Sequence, residues 1–191
     1  MTTALIICGA LAHEVVAIVD KHQLDAKLFG VNANFHVHVD KIAPAVEKRI
    51  LELRPNYQKI ICVYGDCGTR GELDQVLSRY NVRRLRGEHC FQWYGSEPLM
   101  AEEPGTFFLT DFMVRTFRGM IVKGMGLDRY PELRQMYFEN YKRIVYLVQK
   151  PDPQLVEHAK AAANFLGLPL EVRATGYADL ETQLVAMMEE G

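Results

Sequence analysis

A chain of 191 residues and 21.8 kDa suffices for one large domain or two small lobes. Hydrophobic residues make up 49% and charged residues 24%, with a net charge of -2. That composition excludes a disordered chain and carries no nucleic-acid footprint. The one dense basic cluster, Arg83-Arg84-Leu85-Arg86, reads as a solvated strand edge.

Strand-like and helix-like segments alternate along the chain. Residues 2–8 form a short apolar run, followed by helical spacing over 10–22 through Leu11, Val15, Ile18 and Val19. A second strand is expected over 26–31. Asp40 is expected to cap a helix reaching Leu53, with Ile42, Val46, Ile50 and Leu53 on one face. Residues 59–64 are apolar without polar alternation, as in a strand buried on both faces. Thr69-Arg70-Gly71-Glu72 has the capping-box pattern, so a helix is expected from there to Tyr80. A weaker strand follows at 82–85, and 90–105 reads as irregular. Two helices are expected over 112–125 and 131–141, then a buried strand over 143–148. Asp152-Pro153 makes a good helix start and Gly167 a good end. A strand over 168–173 and a helix over 178–189 complete the chain.

This alternation predicts an α/β fold, a mainly parallel, Rossmann-like sheet flanked by helices. The expected organisation is one α/β domain over 1–191. Within it, two βαβ sub-lobes at 1–104 and 142–191 would be separated by a helical insertion at 105–141. The N-terminus lacks a signal-peptide pattern, and no segment has the length of a membrane span. The expected setting is the cytoplasm, where thiols stay reduced.

Three of the four cysteines sit in short turn-like stretches just after apolar runs: Leu5-Ile6-Ile7-Cys8-Gly9-Ala10, Val63-Tyr64-Gly65-Asp66-Cys67-Gly68 and Arg86-Gly87-Glu88-His89-Cys90. In an open parallel sheet such positions lie along one edge, where ligands bind. Reduced thiols gathered there suit a metal or thiol chemistry. Cys67, ahead of the capping box, is expected to feel the positive end of a helix, which favours thiolate. Gly9, Gly65 and Gly68 are expected to let backbone approach a bound group. His89, beside Cys90, is a candidate fourth ligand or acid/base, and Glu103 a candidate carboxylate ligand or base. Three thiolates with one further position fit tetrahedral zinc, or an iron–sulfur cluster with an exchangeable site. Cys62, inside the run 60–63, is a core residue.

The remaining candidates carry blander readings. His13 and Glu14 begin the first helix. His36 and His38 follow the second strand, where an extended His-x-His pair can chelate. Thr110 and Asp111 read as a helix cap, and Phe91, Trp93 and Tyr94 as packing. Dinucleotide, P-loop and nucleophile-elbow fingerprints are absent.

Taken together, Cys8-Gly9-Ala10-Leu11, Tyr64-Gly65-Asp66-Cys67-Gly68, His89-Cys90, residues 103–112 and Tyr137-Phe138-Glu139-Asn140-Tyr141 carry a family resemblance. The chain resembles the prokaryotic family catalogued as domain of unknown function 1638, over essentially its whole length. The resemblance implies a cytoplasmic α/β protein of bacteria or methanogenic archaea. It also implies relatives found near corrinoid-dependent methyltransferase systems, which makes a corrinoid methyltransferase a candidate partner and methylated amines or thiols candidate small-molecule ligands.

Two classes of function follow. One is a metal-dependent protein built on Cys8, Cys67 and Cys90 with His89 or Glu103, an enzyme linked to methyl-group or one-carbon metabolism. The other is a non-catalytic carrier of a metal, cluster or corrinoid, though the usual Asp-x-His-x-x-Gly corrinoid signature is missing. A metal-free site with Cys67 as nucleophile and His89 as base is a third reading.

Overall fold

A computed structural model describes residues 2–95 and 104–190. The chain divides into two compact units, Met1–Trp93 with Tyr177–Gly191, and Tyr94–Gly176. The expected α/β architecture is present, as two separate parallel sheets.

In the first unit, β1 (Thr3–Cys8), β2 (Ala26–Val31), β3 (Ile60–Val63) and β4 (Arg83–Arg84) form a parallel sheet in the order β2-β1-β3-β4. β1 is buried along its whole length, and β3 buries Ile61, Cys62 and Val63. Their unbroken apolar sequences reflect that double coverage. Helix α1 (Ala12–Lys21) is preceded by a 3-10 turn, Gly9–Leu11. Helix α2 (Ile42–Leu53) buries Ile42, Val46, Ile50 and Leu53, the face its spacing predicts. Asp40 does not cap it: Val39–Lys41 forms a 3-10 turn instead, and Lys41 stands at the cap position without a side-chain bond.

Helix α3 (Glu72–Arg79) likewise departs from its expected start. Its cap is Gly71, in the left-handed region at φ 87. The Thr69 hydroxyl still accepts from the Leu73 N–H, at 3.4 Å, but Thr69 is part of the preceding turn. That turn contains four residues of positive φ, Cys67, Gly68, Arg70 and Gly71, so the backbone is too tightly wound to be helical there.

The second unit holds β5 (Thr106–Leu109), β6 (Arg143–Val148) and β7 (Leu170–Ala174) in that order, all parallel. The segment 105–141, expected as a helical insertion, thus opens with an edge strand. Thr110 then caps α4 (Asp111–Phe117), accepting from the Met113 N–H. The helix expected to run to Met125 changes at Arg118–Lys123 into a π-helix. Helix α5 (Glu132–Phe138) and helix α6 (Pro153–Leu166) follow. α6 starts on Asp152 and stops at left-handed Gly167, as its sequence predicts. The core of this unit is Leu109, Ile144, Tyr146, Leu155, Ala159 and Leu166.

Helix α7 (Ala178–Glu189), expected with the later lobe, belongs to the first unit. Glu181 bonds both Lys21 and His22, and Lys59 donates to the Met188 carbonyl.

Candidate functional site at the C-terminal edge of the first sheet

The strand order of the first unit fixes where chemistry can gather. From β1 the chain moves outward to β2, then returns to place β3 on the other side of β1. β1 and β3 therefore flank the point where the winding reverses, and open parallel sheets bind ligands outside the strand ends at such a point. Cys8 is the last residue of β1, and Tyr64 and Cys67 follow the end of β3. Cys90 opens the 3-10 turn Cys90–Trp93 after β4, and His36 lies in the 3-10 turn Ala33–Val37 after β2. Each of the four strands thus delivers one sulfur or imidazole to the same edge.

Close backbone contacts bring these loops together. The Cys67 N–H donates to the Glu88 carbonyl at 2.7 Å, and the Asp66 N–H donates to the Gly87 carbonyl. A Cβ on Gly65 would stand 3.0 Å from the Glu88 oxygen, so only glycine lets the Cys67 and Cys90 loops meet this closely. Gly9 does the same on the other side, where a Cβ would stand 3.0 Å from the Val31 oxygen. Gly68 takes φ 86 and permits the turn. The space beside Gly9 and Gly65 is thus filled by protein backbone, which assigns both glycines to loop packing.

Asp66 clamps the turn. Its carboxylate accepts from the Thr69 hydroxyl at 2.6 Å and from the Arg70 and Gly71 N–H groups at 3.0 and 2.9 Å. Burial opposes its ionisation, yet these bonds and the Arg84 charge hold its carboxyl below the usual range. The clamp holds Cys67 itself at φ 50, a region disfavoured for any residue but glycine.

Cys67 is the electrostatic centre. Hydrogen bonding from the Cys90 thiol does most to lower its pKa. Burial opposes this, His36 and the Cys90 backbone N–H add to it, and the thiol is pulled down to about 5. Cys67 is therefore a thiolate near neutral pH. The cause is its neighbours and not a helix terminus, because the thiol stands five positions before the first residue of α3. Cys90, facing that thiolate, is pushed well up and keeps its proton. Burial pushes Cys8 up to about 11, against the opposing influence of the nearby Tyr64 hydroxyl and the bond from the Ala10 N–H. Cys62 is fully buried and pushed up by that burial, consistent with a core residue.

His36 is the histidine in contact with Cys67. Burial disfavours its charged form, but the bond to Cys67, the Ala33 carbonyl and the Cys67 charge together outweigh this and raise its affinity for a proton. Its Nδ1 lies 2.9 Å from the Ala33 carbonyl. A carbonyl only accepts, so Nδ1 carries hydrogen and Nε2 is left for the thiolate. Its ring stacks on Tyr64 with centroids 6.3 Å apart. Tyr64 is fully buried, and its hydroxyl makes no well-formed hydrogen bond. The Cys8 sulfur is its polar neighbour, and burial strongly disfavours its ionisation.

His89, expected at the site, is exposed and stacks on Phe91 with centroids 5.1 Å apart. Glu103 lies outside the described residues. His13 and His38 are exposed, and Glu14 is buried on α1. Trp93 is a packing residue, its Nε1 donating to the Arg86 carbonyl. Thr110 and Asp111 belong to the second unit, where the buried Asp111 carboxylate accepts from the Tyr146 hydroxyl and the Gln149 and Lys150 N–H groups. Tyr64 and Asp66 were not singled out by sequence as site residues. Their signal was position, immediately after a buried strand and around a glycine.

A family model described as a protein of unknown function, DUF1638, matches residues 31–184. The chain belongs to the DUF1638 family. No curated protein and no solved structure matches it. The DUF1638 match covers three of the four residues gathered at the edge, His36, Cys67 and Cys90, and begins at the end of β2. Among the described residues no helix is long and apolar enough to cross a membrane.

Proposed function

We propose that this DUF1638 protein holds a soft metal, zinc or an iron–sulfur cluster, through Cys8, Cys67 and Cys90. His36 takes the place that sequence reasoning gave to His89. The observation that carries this reading is the delivery of one soft donor from each of four adjacent parallel strands to the winding-reversal edge. Core packing has no need of that arrangement.

The donors fit such a group chemically. Cys67 is already ionised, as a thiolate ligand must be. His36 is oriented by a backbone carbonyl through its other nitrogen, the usual support of a ligating imidazole. Tyr64 offers a buried hydroxyl with capacity to spare beside Cys8. Among the described residues no three His, Cys, Asp or Glu side chains already stand at metal-binding spacing. Closing the set requires Cys90 and Cys8 to lose their protons and turn inward. Binding would therefore release protons, as thiol sites do.

The bound group would supply Lewis acidity or an activated sulfur at the edge. Cys67 supplies negative charge and Tyr64 a hydrogen-bond donor. The family resemblance makes a corrinoid methyltransferase the first partner to try, with the protein either acting on methyl-group chemistry or holding the group for that partner. A metal-free reading rests on the direct Cys67–Cys90 contact, with Cys67 as nucleophile and His36 holding it ionised.

Elemental analysis and absorption spectra of protein purified without oxygen separate the readings. One zinc per chain, or iron with sulfide and a brown colour, is expected, lost in Cys8→Ser, Cys67→Ser and Cys90→Ser but kept in Cys62→Ser. Metal-free protein that takes up neither zinc nor a reconstituted cluster would leave the thiol reading.

A further inference from the structure

The second unit carries a cavity that has no part in the thiol site. It is a half-open cleft of about 660 Å³ against α4, the π-helix and α6, within the range of small-molecule sites. Phe117 and Phe165 line it and contact each other edge-on at 6.1 Å. The small side chains of Ala161 and Ala162 leave room on the α6 side.

The π-helix shapes its rim. The Gly124 N–H bonds the Gly119 carbonyl and the Leu127 N–H bonds the Val122 carbonyl, both five residues back. Such widened turns are rare and frequently lie at functional sites. Here the wide turn lets Arg118, Val122 and Lys123 all border one cavity.

The charges at the rim do not cancel. Arg115 is shared with the buried Asp111, at 3.7 Å. That leaves Arg118 and Lys123 against Asp128, a surplus of one positive charge over an apolar floor. Among the described residues neither Arg118 nor Lys123 forms an ion pair. His158 adds a ring nitrogen at the same rim.

We infer that this cavity binds a small amphiphilic monocarboxylate, an acyl or aryl acid whose apolar body lies on Phe117 and Phe165 and whose carboxylate meets Arg118 and Lys123. The single surplus charge favours a carboxylate over a doubly charged phosphate. Planar carboxylate also matches the guanidinium fork.

Titration calorimetry with octanoate, octanol, octylamine and octyl phosphate tests this on the full chain. Octanoate should bind at one site and more tightly than the other three. The double variant Arg118→Ala/Lys123→Ala, with both residues exposed, should weaken octanoate by about tenfold or more, as expected for lost charged hydrogen bonds. Ala161→Trp, on the exposed side of α6, should crowd the cavity and weaken octanoate binding, while Cys67→Ser should leave it unchanged. Octanol binding as well as octanoate, octyl phosphate binding more tightly, equal octanoate binding by the double variant, or no octanoate binding at all would overturn the assignment. Thermal unfolding of each variant confirms that the chain is folded.

Discussion

The Asp66 clamp is the most direct handle on how the fold makes a reactive thiol. Asp66→Ala removes three acceptor contacts from a turn that holds Cys67 and Arg70 at φ 50 and 54. Each bond to a carboxylate is worth about 1.5–3 kcal/mol when water is excluded. Asp66 is only half-buried, so water replaces much of that, and a net loss of about 2 kcal/mol is expected, similar to a strong helix cap. Urea unfolding at pH 7 should show a lower midpoint with an unchanged slope. The carboxyl is held below its usual value, so its stabilisation is present above about pH 4 and fades as pH falls through the folded value. The gap between wild type and variant should therefore close in acid. A loosened turn also separates Cys67 from Cys90 and His36, so the pH at which Cys67 becomes reactive should rise. Equal stability at pH 7 together with an unchanged reactivity profile would refute the clamp.

Other consequences follow from the same geometry. In metal-free protein, iodoacetamide should label Cys67 first, with a rate that levels off above about pH 6 and falls tenfold per unit below pH 5, where the thiolate is protonated; Cys8 and Cys62 should react only on unfolding, which peptide mass mapping reads. Tyr64→Phe removes a buried hydroxyl without a good partner, so metal-free stability should stay level or rise by about 1 kcal/mol. The same change should alter the absorption spectrum or metal retention of loaded protein. In the second unit, Asp111→Ala strands the Tyr146 hydroxyl and the buried Gln149 N–H and frees the part-buried Lys150 N–H, and should cost about 3 kcal/mol by urea unfolding.

Much of the frame was legible in the sequence because burial leaves a strong trace. The unbroken apolar runs of β1, β3 and β6 mark strands covered on both faces, and the 42-46-50-53 spacing marks the buried side of α2. Asp152-Pro153 and Gly167 bound α6 through local bonds alone. The misses arise where short-range patterns compete with tertiary winding. The Thr69–Glu72 pattern was real, but Asp66 recruits those backbone N–H groups into its own turn and delays α3 to Glu72. Residues 106–109 form only an edge strand, paired on one side, and four residues are too few for periodicity to declare. The insertion of a π-turn at Arg118 leaves no periodic signal. At the site, cysteine positions after apolar runs were enough to single out Cys8, Cys67 and Cys90. The choice of histidine was not readable, because it depends on strand order: β2 lies beside β1, which carries His36 to the edge, while His89 turns outward onto Phe91.

The three-thiol metal site is tested most directly at the metal itself. X-ray absorption at the zinc or iron edge of anaerobically purified protein reads the ligand sphere itself. Zinc should show three sulfur neighbours at about 2.3 Å and one lighter atom near 2.0–2.1 Å, with the light-atom shell altered in His36→Ala but not in His89→Ala. A cluster should instead show iron–sulfur and iron–iron shells that vanish in Cys67→Ser. A metal bound without sulfur, or a spectrum unchanged when Cys8, Cys67 and Cys90 are replaced together, would contradict it.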